Sequence, residues 1–367
     1  MDTEECDRED VLHPRKKVAF TRDRTEVGVL GAGAWGTALA VHCARMGHTT
    51  RIWCRNEEVV KAINEQHENT KYFVGFKLPE NLVASTDKHD VVSRSKLLLM
   101  VIPTPHVAEV METIAGDLRP EDQIIVSCSK GILNDTLETV DEILERVLPP
   151  AFHPRLAYLS GPNFAAEIAR ELPSCTTIAS KTESVAIHVQ EMLSTPRFRC
   201  YRTTDVTGAE LGGALKNVLA IACGISDGLE FGNNTRAALI TRGMNEIQRI
   251  AVAKGASPLT MAGLAGVGDL VLTCTGDLSR NRSVGLRLGR GESLSAIKGS
   301  MTAVAEGILT SKSANALAEK IGIDCPIING IYRVIHGGDD PATVTLQVMS
   351  RDLRFEVDDE IAEKIKE

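Results

Sequence analysis

The stretch Glu26-Val27-Gly28-Val29-Leu30-Gly31-Ala32-Gly33-Ala34-Trp35-Gly36-Thr37-Ala38-Leu39-Ala40 decides how this chain folds. Val27 to Leu30 reads as a short buried strand. Thr37 to Met46 reads as a helix stopped by Gly47, and Thr49 to Trp53 as a second strand. Between the first strand and the helix stands Gly31-x-Gly33-x-x-Gly36, in the context that a dinucleotide pyrophosphate requires. Gly31 permits the tight turn and Gly33 lets the backbone approach the anion. Gly36 lets the helix, whose N-terminus faces the phosphates, pack close to the strand. A glycine-rich turn also occurs in α/β proteins that bind no nucleotide; the strand–helix–strand setting favours the nucleotide.

Outward from this loop the same alternation continues. Leu97 to Ile102 is an unbroken apolar run ended by Pro103, suited to a central parallel strand buried on both faces. Ile124–Cys128, Ala157–Ser160 and Thr176–Ala179 repeat the type. After about Asp205 the pattern turns helical, over 206–223, 235–254, 257–264, 282–290, 293–297, 304–321, 326–336 and 341–350, with Gly, Pro or Asn between. The expected fold is therefore α/β: an N-terminal Rossmann-type dinucleotide-binding domain with a C-terminal all-helical domain. The expected divisions are a flexible tail at 1–25, the dinucleotide-binding domain at 26–205, a helical substrate and catalytic domain at 206–355, and a C-terminal tail at 356–367.

Composition narrows the class of function. At 367 residues, 43% hydrophobic and 25% charged, the chain is globular and long enough for two cores. A net charge of −8 argues against nucleic acid as partner, although a few converging cations still admit an anionic substrate. The apolar run at 97–102 falls far short of the ~20 residues needed to span a bilayer. The nine cysteines stand singly, with no Cys-x-x-Cys and no His at metal-ligand spacing, so no metal is expected and the thiols read as reduced. The acidic start, Met1-Asp2-Thr3-Glu4-Glu5, resembles neither a secretory signal nor a transit peptide. A cytoplasmic location and a homodimer are the expectations.

Several residues carry chemistry. An acidic residue that would bind a ribose 2′-OH is missing at the end of the second strand, where Trp53-Cys54-Arg55-Asn56-Glu57 stands. Arg55 suits a 2′-phosphate or merely starts a solvated helix, and Glu57 keeps NAD open. Lys216, in Gly212-Gly213-Ala214-Leu215-Lys216-Asn217, has Gly212, Gly213 and Ala220 beside it at helical offsets. A lysine on a helix is ordinarily solvated, but one paved with small residues is partly desolvated and becomes a base near neutral pH. In Gly263–Thr273 and Ser279-Arg280-Asn281, glycine turns expose N–H groups and Arg280 with Asn281 can clamp a phosphate. Asp269 can pair with a lysine. A helix-connecting loop with an exposed arginine fits those residues equally well. Lys130-Gly131 and Gly161-Pro162-Asn163-Phe164-Ala165 each follow a strand at the carboxyl edge, where open sheets bind ligands.

These segments resemble the NAD(P)-dependent glycerol-3-phosphate dehydrogenases, most closely the bacterial type, from about Glu26 to Leu353. The resemblance rests on 31–40, His-Glu-Asn-Thr-Lys-Tyr (67–72), Lys-Leu-Pro-Glu-Asn-Leu (77–82) and Ser-Lys-Gly-Ile (129–132). Its most specific parts are Gly-Gly-Ala-Leu-Lys-Asn-Val-Leu-Ala-Ile (212–221), Asn-Asn-Thr-Arg-Ala-Ala-Leu-Ile-Thr-Arg-Gly (233–243) and Leu-Ala-Gly-Val-Gly-Asp-Leu-Val-Leu-Thr-Cys-Thr (264–275). Ser-Arg-Asn-Arg (279–282) and Ala-Glu-Gly (305–307) complete it.

The resemblance implies reversible oxidation of sn-glycerol 3-phosphate to dihydroxyacetone phosphate with NAD or NADP, feeding glycerolipid synthesis and redox balance. It makes Lys216 the proton acceptor in oxidation, assisted by Lys130 and Asp269. Substrate contacts fall to Lys130, Gly161, Asn163, Lys216, Asn217, Asp269, Thr273, Ser279, Arg280 and Asn281. Cofactor contacts fall to Gly31, Ala32, Gly33, Ala34, Trp35, Gly36, Arg55, Lys130, Ala165, Arg280, Val304 and Glu306. Two departures stand out: position 163 is Asn, as in animal-type relatives, where bacterial members usually carry Ser or Thr, and the 25-residue head lacks a counterpart in the short bacterial enzymes. Related two-domain dehydrogenases acting on 6-phosphogluconate or hydroxyacyl-CoA lack the Ser279-Arg280-Asn281 context. A non-catalytic NAD(P)H sensor on this fold needs neither the lysine nor the clamp.

Overall fold

The structure is a computed structural model that describes residues 24–301, 305–353 and 355–356. The expected tails therefore lie almost wholly outside the described residues, as does Val304. The strands are β1 (Glu26–Leu30), β2 (Thr49–Trp53), β3 (Leu82–Ser85), β4 (Leu97–Met100), β5 (Ile124–Ser127), β6 (Leu156–Ser160), β7 (Ser174–Ala179) and β8 (Phe198–Thr203). They form one sheet in the order β3-β2-β1-β4-β5-β6-β7-β8. All neighbours are parallel except β6 and β7. That antiparallel pair departs from the uniform parallel run that the apolar segments suggest, because a buried strand reads the same in either direction.

β3 and β8 are the strands that periodicity misses. β3 has four residues, and β8 (Phe-Arg-Cys-Tyr-Arg-Thr) alternates buried and exposed positions at the sheet's edge. Its charged outward residues suit an edge strand and hide its strand character in the sequence. In the centre the opposite holds. Val29 lies between Ile52 and Leu99, and all four residues of β4 are buried. Burying each such Val or Leu contributes about 1.5–3 kcal/mol.

The strand order reverses between β1 and β4, so the ligand crevice lies beyond their carboxyl ends. The first helix, Ala34–Arg45, starts three residues before the expected Thr37 and takes Gly36 into its first turn. Gly31 has φ +114°, and a Cβ there would lie 2.3 Å from the Val101 carbonyl oxygen. That position admits only glycine. The helical half begins at Val206, and among its described residues there is no strand.

Its centre is the helix Val206–Gly228, long and apolar enough on length and composition to cross a membrane, yet its 18-residue apolar window is wholly buried within the fold. The segment Pro258–Thr275 passes the same test, though a helix at Pro258–Met261, a wider turn at Leu264–Gly268 and a helix at Asp269–Thr275 divide it. The halves share cores. Val206, Ala209 and Ala265 pack into the cluster on one sheet face, while Ile132 joins the cluster of the helical half.

Candidate active site

Two carboxyl-edge turns and three helices build the site. At the cofactor loop, Gly33 caps the helix Ala34–Arg45 with extended backbone and no side-chain hydrogen bond, so the first N–H groups are open to an anion. A Cβ on Gly33 would meet nothing within 4 Å. The protein's own packing thus gives no reason for glycine there, whereas a pyrophosphate lying against the backbone does. The residues present fit a bound dinucleotide. Trp35 is half-buried against the core on this face of the sheet. Arg55 is exposed just past the end of β2, beside Asn56, which caps the next helix by accepting from the Val59 N–H. Glu57 is exposed in that helix's first turn.

Across the crevice, Lys216 is 7% exposed on the helix Val206–Gly228 and Asp269 is 1% exposed at the start of the helix Asp269–Thr275. Lys216 Nζ donates to Asp269 Oδ1 and, at 2.8 Å, to Thr273 Oγ1. Thr273 in turn donates to the Asp269 carbonyl at 2.7 Å. From the other half of the chain, Lys130 Nζ donates to Asp269 Oδ2 at 2.6 Å and to the Gly161 carbonyl at 3.2 Å. Burial pushes the Lys216 amine down to about 8; the Asp269 carboxylate pulls it up, and the Lys130 charge presses it down again. A buried amine held near neutrality is suited to take and return a proton.

Glu306 opens the helix Glu306–Ile321 beside these groups. Burial raises its carboxyl above the ordinary value, against the pull of Arg280, Lys130 and Lys216. Arg280 is exposed in the first turn of the helix Arg280–Gly289, which Ser279 caps by accepting from the Arg282 N–H at 3.2 Å. That turn offers a guanidinium, a hydroxyl and helix N–H groups to a phosphate.

Asn281 differs from the expected clamp. Its amide donates to Asn217 Oδ1 at 2.8 Å and accepts from the Gly307 N–H at 2.9 Å, so one N–H remains. It ties together the helices that carry Arg280, Lys216 and Glu306. Asn163, after Gly161, donates to the carbonyls of Pro162 and Cys175, while Ala165 starts a short helix. Among the described residues no three His, Cys, Asp or Glu are grouped to hold a metal.

Two glycines make this geometry possible. A Cβ at Gly213 would lie 2.7 Å from Ser160 Oγ and 3.4 Å from Lys130 Cδ. One at Gly307 would lie 2.5 Å from the Asn217 carbonyl. The sequence offers Gly213 as a small neighbour of Lys216 and Gly307 within Ala-Glu-Gly (305–307), but not the contacts that require a glycine at either place.

A dinucleotide loop at the switch point of a doubly wound sheet, faced by a buried lysine with lowered basicity, defines a nicotinamide-dependent dehydrogenase. The family follows from comparison with known proteins. A model of the NAD-dependent glycerol-3-phosphate dehydrogenase N-terminus matches residues 26–186, and a model of the C-terminus of the same family matches 205–346. The chain belongs to that family. An NAD(P)+ glycerol-3-phosphate dehydrogenase from Geobacter sp. (strain M21) is 50% identical over 331 residues, 90% of this chain and 98% of the relative. One from Leptospira biflexa is 48% identical over 90% of this chain and 99% of its own length. The crystal structure of glycerol-3-phosphate dehydrogenase from Coxiella burnetii superimposes with a TM-score of 0.84 at 35% identity, over 89% of this chain and 99% of that one.

Proposed function

We propose that this chain catalyses the reversible oxidation of sn-glycerol 3-phosphate to dihydroxyacetone phosphate with NAD or NADP, and so feeds glycerolipid synthesis and redox balance. The observation that carries the reading is the buried Lys216–Asp269–Lys130 cluster across the crevice from an uncapped dinucleotide loop. The nicotinamide, when bound, supplies the hydride acceptor in oxidation and the hydride donor in reduction. Gly31, Ala32, Gly33, Ala34, Trp35, Gly36 and Ala165 seat the cofactor, with Arg55, Arg280 and Glu306 at its polar groups.

In oxidation Lys216 takes the proton of the C2 hydroxyl, and in reduction it returns one to the C2 oxygen. Asp269 holds the amine by one oxygen and Lys130 by the other, while Thr273 fixes one of the amine's N–H directions. Arg280 and Ser279, with the remaining N–H of Asn281, hold the substrate's phosphate. Lys130, Gly161, Asn163 and Asn217 border the glycerol moiety.

The same reading divides the chain at Asp205 into a cofactor-binding unit (26–205) and a helical catalytic unit (206–355). It places the enzyme in the cytosol, in keeping with eight free cysteines among the described residues. It also makes the enzyme a homodimer: Leu346, Met349, Leu353 and Phe355 are exposed beside an apolar groove of about 510 Å³.

The deciding assay follows NADH and NADPH consumption with dihydroxyacetone phosphate, run side by side. Loss of reduced-cofactor absorbance that depends on dihydroxyacetone phosphate is expected with both. No such loss with either sinks the function, and strict use of NADH sinks the role given to Arg55. Sedimentation at micromolar concentration tests the dimer.

A further inference from the structure

Two arginines of the segments that carry the resemblance, Arg236 and Arg282, have no part in the chemistry above, yet they meet at one carboxylate. Asp227 stands in the last turn of the helix Val206–Gly228 with its side chain 6% exposed. Its Oδ2 accepts from Arg282 Nε at 2.8 Å and lies 2.8 Å from Nη2. Its Oδ1 accepts from Arg236 Nε at 2.8 Å and lies 2.6 Å from Nη2. Arg282 reaches a second acid, the exposed Asp277, at 2.9 Å.

Arg282 belongs to the first turn of the helix that presents Arg280. That helix lies against Val206–Gly228 backbone to backbone: a Cβ at Gly285 would fall 2.1 Å from the Ile221 carbonyl oxygen, and one at Gly224 would fall 2.1 Å from that of Arg282. Contact this close sets the distance between the helices. Gly289 packs in the same way, with a Cβ there 2.4 Å from the Ile225 carbonyl oxygen, so Gly285 and Gly289 also fix which face of the shorter helix meets its neighbour; the side chains of the first turn, ahead of Gly285, are aimed by their own hydrogen bonds. Asn281 and Arg282 project about 100° apart. Asn281 is held by Asn217 and Gly307, and Arg282 is held by Asp227. With both anchored, the direction of Arg280 follows.

We propose that Asp227 is a positioning residue for the substrate's phosphate, which holds Arg282 and thereby aims the helix turn that carries Ser279 and Arg280. The inference rests on the reading that this turn holds the phosphate. Asp227 touches neither substrate nor cofactor. Its influence falls on how tightly the phosphate is bound and leaves the proton transfer at Lys216 alone.

The test is steady-state kinetics on the full chain. Asp227→Asn should raise KM for dihydroxyacetone phosphate by about tenfold, since a 1 Å misplacement costs up to about 100-fold. It should leave kcat and the KM for reduced cofactor within about twofold. Arg282→Lys, whose ammonium lacks the guanidinium fork, should do the same and covers the case in which the first variant does not fold. The double variant should be no worse than the worse single one, because both act through one contact. Arg280→Ala run in parallel separates the two claims. If it leaves KM for dihydroxyacetone phosphate unchanged, the phosphate reading fails whatever Asp227 does. If it raises KM while Asp227→Asn and Arg282→Lys leave KM within twofold, or only lower Tm, the positioning role is overturned. Failure of both variants to fold overturns it too, since a positioning residue leaves the fold standing.

Discussion

Lys216 and Lys130 hold opposite oxygens of one carboxylate, that of Asp269, although they come from different halves of the chain. One negative charge thus serves two ammonium groups inside the protein. Burial disfavours charge on Lys216, and the second lysine adds to that, so its proton is held loosely enough to be exchanged with a substrate.

Lys216→Ala should lower kcat by about 10²–10⁴-fold in both directions, the usual loss for a general base. Dinucleotide affinity, measured by fluorescence titration, should change little. Near-normal turnover in the variant would remove Lys216 from the proton transfer.

The pH profile should report the same amine. Oxidation needs it neutral, so kcat/KM should rise with pH through an inflection near 8; reduction needs it protonated and should fall there. Asp269 raises this pKa, so Asp269→Asn should move the inflection to lower pH. An unmoved or higher inflection would mean that a different group titrates.

Gly31 and Gly33 should respond differently to alanine. Gly31→Ala meets positive φ and the Val101 carbonyl, so it should lower Tm. Gly33→Ala meets open space in the protein, so Tm should hold while cofactor Kd rises about tenfold or more. Equal affinities for wild type and Gly33→Ala would place the pyrophosphate elsewhere.

Glu246 gives a stability test remote from the chemistry. It is 2% exposed and accepts from the N–H groups of Ile327 and Ile328, and burial still pushes its carboxyl up to about 7. The folded state therefore binds a proton that the unfolded state has released between about pH 4.5 and 7. Stability contributed by the neutral form is lost as pH rises through that window, on the order of 3 kcal/mol. Tm of the wild type should fall over this range more steeply than that of Glu246→Gln. Parallel curves would contradict the buried neutral acid.

Much of the fold was legible because its signals are local. The glycine loop, the apolar runs of β4, β5 and β6, and the caps and breaks of the helical half each lie within a short window. β8 escaped because its outward charges mask the alternation, and the β6–β7 reversal escaped because direction leaves no mark on a buried strand. Lys216 was legible through its small neighbours. Asn281 reads from the sequence as a polar residue beside Arg280, but not as one whose amide is committed to Asn217 and Gly307.

By itself the sequence determined the dinucleotide loop, the division into an α/β half and a helical half, and which side chains have the chemistry for a dehydrogenase. Only the tertiary structure decided what those side chains do to one another. Asp269 meets Lys216 from 53 positions away and Lys130 from 139, and Asp227 meets Arg282 from 55. The basicity of an amine and the aim of the turn that carries Ser279 and Arg280 depend on burial and on charges a few ångströms away. Those distances are set when the chain packs, and no local pattern encodes them.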